Sequence, residues 1–178
     1  MTQQWTAATS HGELVIRRAV PDDVEALAAI GESTSAWLDS LGIDAGRPPK
    51  PLREIAADRV RQGDVYVATL DGAPAGTVTL LCGPEALWSD LPGEACYVHG
   101  LMVHRDFAGR QIGLEMLRWA EHETVARGKL LLRLDCMMEN LALRAYYERA
   151  GYMQRGDVQL PHRGAARYEK VVSEPGAL

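Results

Sequence analysis

The chain predicts an α/β domain on a mixed β-sheet. Two patterns carry that expectation. Stretches of strand and helix period follow one another over residues 13–171 in the order β α α β β β α β α β β. Turn signals, Asp71-Gly72 and Pro161-His162-Arg163-Gly164, each sit between two predicted strands and mark hairpins. The length of 178 residues is that of one domain with a sizeable core.

Each element has its own justification. Residues 13–19 alternate apolar and polar and read as a strand. Pro21-Asp22-Asp23 opens a helix, with proline and acidic residues in its first turn. That helix carries Val24, Leu27, Ala28 and Ile30, and a second helical piece holds Trp37, Leu38 and Leu41 and ends at Gly42. Residues 46–51 read as a loop. Leu52, Ile55, Ala56 and Val60 fall at helical spacing over 52–62. Strands follow at 64–70 and 75–81, then a loop over 84–93 with Trp88 expected at the surface. A strand at 95–103 runs into a helix that carries Gly113, Met116, Leu117 and Ala120 on one face and stops at Arg127-Gly128. Residues 130–136 are apolar enough for a strand buried on both faces. A helix over 140–150 and strands at 152–160 and 165–171 complete the order. Residues 1–12 are expected as a flexible segment, 13–172 as the domain and 173–178 as a tail.

Composition excludes several function classes. No apolar run approaches the roughly 20 residues that span a bilayer, so no membrane partner is expected. The polar start lacks the basic and apolar regions of a signal peptide. Cys82, Cys96 and Cys136 are odd in number and scattered. That pattern leads us to expect a reducing, cytoplasmic setting, with no disulfide and no zinc. The net charge of −5 disfavours nucleic acid, which needs a basic footprint. It is compatible with a cationic amine. No spacing of His, Asp and Glu suggests a metal.

Two blocks carry chemistry. The first is Asn140-Leu-Ala-Leu-Arg-Ala-Tyr-Tyr-Glu-Arg-Ala-Gly151-Tyr152. Asn140 suits an N-cap, and Gly151 suits the left-handed residue past a helix end. The second is Tyr97-Val-His-Gly-Leu-Met-Val103 followed by His104-Arg-Asp-Phe-Ala-Gly-Arg-Gln-Ile-Gly113. An apolar strand there enters a basic, glycine-containing loop and then a helix start, whose free N–H groups suit a pyrophosphate. Together these blocks resemble the GNAT superfamily of N-acetyltransferases, over about residues 14–171. Gly109-Arg110 and Ile112-Gly113 match that family's phosphate-loop pattern. Two positions depart from it: Ala108 stands for an Arg or Gln, and Gln111 for a Gly.

The resemblance implies a largely antiparallel, twisted sheet with splayed central strands and about four flanking helices. It implies acetyl-CoA as acyl donor, no metal, and direct transfer to a primary amine of a small molecule or peptide in a ternary complex. The implied cofactor-binding residues are Leu101, Met102 and Val103 on the strand, Ala108, Gly109, Arg110, Gln111, Ile112, Gly113 and Leu114 at the turn, and Asn140 and Tyr147 on the late helix. Gln111 still supplies a backbone N–H unless positive φ is required there. Arg110 or Arg105 can stand in for the missing side chain at 108. A homodimer is left open.

Acyl transfer needs a neutral amine, an aligned and polarised thioester and a protonated leaving thiolate. Tyr147 is the expected proton donor, since a phenol stays neutral at ordinary pH. Tyr146 points about 100° round the helix and is the weaker candidate. A backbone N–H near Leu101 or Met102 is expected to hold the carbonyl oxygen, with Gly100 easing a bulge. His99 is the imidazole of the motif strand and the expected base, directly or through water. Glu94, Glu32 and Asp135 rank below it. His104, His122 and His162 read as surface or loop residues. Glu32, Trp37, Asp39, Asp44, Trp88 and His162 are expected on the acceptor surface. The alternatives are a non-catalytic acetyl-CoA sensor or adaptor, motivated by Ala108 and Gln111, and a transferase of another acyl group.

Overall fold

The computed structural model describes residues 4–43, 50–161 and 163–173. Gly12 and the Asp71-Gly72 pair set the first turns, with Asp71 at φ 48° and Gly72 at φ 81°. They link β1 (Gln4–Thr9) to β2 (Gly12–Arg18) and β3 (Val65–Leu70) to β4 (Ala73–Cys82). Between these pairs lie α1 (Val24–Ser40), entered through a 3-10 turn at Pro21–Asp23, and α2 (Leu52–Gln62). Then come β5 (Ala95–Val103), α3 (Ile112–Ala126), β6 (Leu131–Met137), α4 (Leu141–Arg149), β7 (Met153–Gln159) and β8 (Gly164–Val171).

The strand order is β1-β2-β3-β4-β5-β6-β8-β7. The β5–β6 pair is parallel, and β1–β2, β2–β3, β3–β4, β6–β8 and β7–β8 are antiparallel. This is the mixed, largely antiparallel sheet with four helices that the sequence predicts. The β5–β6 ladder runs only from Ala95↔Leu131 to Val98↔Leu134. β6 continues against β8 as far as Met137↔Ala165. His99 and Asp135 are therefore the first residues past the end of that ladder.

Two compact units form, one of the chain up to Thr79 with Gly100–Trp119, the other of Leu80–His99 with the chain from Ala120. In the first, Ala19, Leu27, Ala56, Val65 and Val67 make a buried cluster with Val24 and Val60 packed against it. Asp23 ends the 3-10 turn. Burial works to raise its carboxyl, but the Arg17 guanidinium and the Val20 N–H outweigh burial and hold it below the usual carboxylate range. In the second unit, Trp88, Ala95 and Tyr97 form a cluster with Leu87, Leu91 and Leu131.

Four expectations are corrected. Residues 4–9, expected to be flexible, form β1 and pair with β2 from Gln4↔Arg17 to Thr9↔Gly12. The two helical pieces after Pro21 are one helix. It runs through Gly31, where an added Cβ would lie 3.3 Å from Leu52 of α2.

Trp88 is not at the surface: it is 2% exposed, with the Arg133 and Arg167 guanidiniums 4.8 and 5.4 Å from its ring. Finally, Cys82 and Cys96 form a disulfide. They are 14 positions apart in sequence, but one ends β4 and the other begins β5, which brings their Cα atoms to 4.1 Å. The cytoplasmic expectation thereby loses the support it took from unpaired cysteines. Cys136 alone is a free, buried thiol, pushed up to about 11 mainly by burial. Asp44, His162, residues 46–49 and most of the expected tail lie outside the described residues.

Candidate active site

In the first unit the site elements are the end of β5 and the turn into α3. Gly100 takes φ 56°, and an added Cβ would come within 2.8 Å of the Arg59 guanidinium. Glycine is favoured there by the left-handed conformation, while the Arg59 guanidinium is the end of a flexible side chain that can move aside. Leu101, Met102 and Val103 follow, each half-buried. Met102 lies close to β4, its carbonyl oxygen 3.0 Å from a Cβ built at Gly76. The His104 N–H donates to the Ala75 carbonyl at 2.9 Å.

The turn itself is shaped by two left-handed residues, Gly109 at φ 78° and Gln111 at φ 60°. Gln111 therefore holds a backbone conformation that favours glycine, at the cost of strain. A left-handed non-glycine residue costs about 1–2 kcal/mol. Glycine returns roughly 0.5–1 kcal/mol of that through its greater unfolded-state entropy. Gln111→Gly is accordingly expected to stabilise the protein by about 0.5–1 kcal/mol, seen as a higher urea midpoint at unchanged slope. A lower midpoint would show that the Gln111 side chain contributes more than its strain.

Ala108 and Gly109 are exposed, and Ile112 is 2% exposed and anchors the start of α3. The first bond into the helix runs from the Glu115 N–H to the Gln111 carbonyl at 3.1 Å. Among the described residues, that leaves the Ile112, Gly113 and Leu114 N–H groups without an intrahelical acceptor at the start of a 15-residue helix. Of the two compensating arginines, Arg105 stacks on Trp37 at 3.9 Å. Arg110 lies over Phe107 at 5.2 Å and donates to the Asp106 carbonyl at 3.4 Å.

In the second unit α4 carries Tyr147. Asn140 caps this helix as expected, its Oδ1 accepting the Leu143 N–H at 3.0 Å. Tyr147 is 5% exposed and rings with Tyr146, Tyr152 and Tyr168 at 5.6, 6.2 and 6.0 Å. Its hydroxyl makes no hydrogen bond among the described residues. Burial, then Cys136, Tyr146 and Asp135, raise its pKa above that of an ordinary phenol. Tyr146 is less buried, and burial raises its pKa as well.

The same unit holds a cavity of about 590 Å³ lined by Glu85, Leu87, His99, Asp135, Leu160 and Arg163, among others. His99 Nε2 is inaccessible and unbonded among the described residues, with Glu85 Oε2 at 3.6 Å. Asp135 pairs with Arg163 at 3.4 Å. The loop over 84–93 that brings Glu85 here is tied down by two buried arginines. Arg133 donates to the Pro92 carbonyl at 2.9 Å and to Glu169 at 2.7 Å. Arg167 donates to Asp90 and to the Leu87 carbonyl, the latter at 3.0 Å.

His99 and Asp135 thus share a cavity, and Tyr147 is not among its lining residues. Glu94 is displaced as a base candidate, 81% exposed and paired with Lys129 at 2.6 Å. Glu32, Asp39 and His122 are exposed, and His104 accepts the Asp106 N–H at its Nδ1 at 3.3 Å. Glu85 is the residue that sequence reasoning missed. Among the described residues, no group of three or more His, Cys, Asp or Glu could hold a metal, and no helix is long and apolar enough to cross a membrane.

Comparisons with known proteins agree with this architecture. The model of the acetyltransferase (GNAT) family matches residues 32–152. The chain is 32% identical over 142 residues to the uncharacterized N-acetyltransferase YesJ of Bacillus subtilis (strain 168), covering 75% of this chain and 78% of that one. It is similar in structure to a GNAT-family acetyltransferase from Listeria monocytogenes 4b F2365, with a TM-score of 0.77 at 25% identity over 94% of this chain and 100% of the other. The ribosomal-protein alpha-N-acetyltransferase RimL, in complex with coenzyme A, matches in fold with a TM-score of 0.67 at 19% identity, covering 93% and 97% of the two chains.

Proposed function

The chain belongs to the GNAT family of acetyltransferases, and from that premise we propose that it moves the acetyl group of acetyl-CoA to a primary amine by direct attack. The amine nitrogen adds to the thioester carbon and the C–N bond forms. His99 has first taken the ammonium proton; the C–S bond then breaks, the thiolate takes a proton from Tyr147, and the second amine proton passes through water to restore the phenol. The Ile112, Gly113 and Leu114 N–H groups, with Arg110, hold the pyrophosphate. The backbone around Leu101 and Met102 receives the carbonyl oxygen. Alignment of the two reactants supplies roughly 7–11 kcal/mol of the barrier reduction.

The observation that carries this reading is His99: an imidazole on the wall of a small-molecule-sized cavity, at the end of the β5–β6 ladder, with Glu85 Oε2 3.6 Å from its Nε2. The general test is release of free thiol from acetyl-CoA across a panel of amines, amino acids and peptides. The specific test is His99→Gln. It is expected to flatten or move the acidic limb of the pH–rate profile, because protonating the imidazole removes the base, while acetyl-CoA affinity stays nearly unchanged. Glu85, Asp135 and Arg163 face the same cavity and set the field in which the limb is read. An unchanged profile in folded His99→Gln protein would return His99 to a structural role.

That Gln111 adopts a left-handed backbone at this turn supports the catalytic reading beside the sensor alternative motivated by Ala108 and Gln111.

A further inference from the structure

The charges around the cavity do not cancel evenly. Three carboxylates line it, Glu85, Asp90 and Asp135. Asp135 is answered by Arg163 at 3.4 Å and Asp90 by Arg167 at 3.1 Å. Glu85 has no guanidinium or ammonium partner among the described residues, and its neighbour is His99 at 3.6 Å. Leu87, Val158 and Leu160 supply an aliphatic wall. One unanswered negative charge therefore stands beside the one imidazole, with apolar surface leading away from both.

We propose that this cavity takes a primary amine carried on an apolar body with no carboxylate next to the nitrogen, and that Glu85 selects it. The proposal rests on the acetyl-transfer reading and names its acceptor class. A protonated amine entering beside His99 is drawn to Glu85, which holds it until His99 takes a proton. An α-amino acid brings its carboxylate to within one carbon of that nitrogen, where it faces Glu85 at short range. At about 4 Å, in the intermediate dielectric of a protein surface, such repulsion is worth tenfold or more in affinity. The aliphatic wall accommodates the remainder of the molecule. Glu85 is a specificity residue here. It is 28% exposed on a loop whose position is fixed by Arg133 and Arg167, so its replacement leaves the fold in place.

The test is calorimetric titration of phenethylamine, phenylalaninamide and phenylalanine into wild-type protein and Glu85→Gln at neutral pH, with thiol release from acetyl-CoA followed in parallel. In wild type, phenethylamine and phenylalaninamide are expected to bind at least about tenfold tighter than phenylalanine. In Glu85→Gln that gap closes to within about threefold, with the melting temperature unchanged. Phenylalanine binding as tightly as the amine, a gap that survives Glu85→Gln, or no binding of any of the three overturns the proposal. The two readings fail separately. Selective, Glu85-dependent binding without thiol release leaves the selectivity standing and removes acetyl transfer. Thiol release at equal rates for amine and amino acid does the reverse.

Discussion

Tyr147→Phe is expected to lower kcat by about 10²–10⁴-fold, the usual worth of positioned proton transfer, with acetyl-CoA affinity nearly unchanged. The substitution removes one oxygen and keeps the ring. That ring packs among Tyr146, Tyr152 and Tyr168, and those contacts survive. The hydroxyl has no partner among the described residues to orphan, so stability should hold or rise slightly.

The pH dependence follows from the direction of the shift. Burial, first of all, raises the folded pKa of Tyr147 above the ordinary phenol value. The neutral donor therefore persists throughout the range below the unfolded value near 10, and its loss begins only as pH rises toward the folded value. No alkaline limb at moderate pH should trace to Tyr147. Burial also makes the phenolate costly, so on the proposed mechanism the hydroxyl serves the departing sulfur first as a hydrogen-bond donor. Turnover within about threefold of wild type would assign thiolate protonation to water or another group.

Gly113→Asp is expected to abolish acetyl-CoA binding while leaving a folded protein. Gly113 is the second residue of α3, and its N–H has no intrahelical acceptor among the described residues. Aspartate in a first helical turn favours the helix itself, since its charge complements the positive end of the dipole. The same charge occupies the place proposed for a pyrophosphate and repels it. Thermal unfolding should show a midpoint close to wild type, and titration should show no saturable heat. Retained affinity would move the phosphate site away from this turn.

Most of the fold was legible because local signals agree with tertiary contacts. α2 was read over 52–62 from Leu52, Ile55, Ala56 and Val60, and it spans Leu52–Gln62, closed by Gly63 at φ 82°. β5 follows at 95–103 from an apolar strand that runs into a basic, glycine-containing loop, and it spans Ala95–Val103. β1 was not legible because its residues alternate only between exposed and half-exposed, so no apolar face marks it. It is held by ladder bonds to β2, which composition does not encode.

The candidate site divides in the same way. The Asn140 cap and the glycines at 100 and 109 follow from local backbone rules. The Cys82–Cys96 bond and the approach of Glu85 to His99 depend on where strands and a loop meet. Trp88 looked exposed for the same reason: the arginines that bury it, Arg133 and Arg167, come from β6 and β8.

Titration of acetyl-CoA into the purified wild-type protein tests the central claim most directly. Saturable binding of one acetyl-CoA per chain is expected, weakened to nothing by Gly113→Asp. A folded wild-type protein that shows no binding at millimolar acetyl-CoA would contradict the acetyltransferase mechanism proposed here.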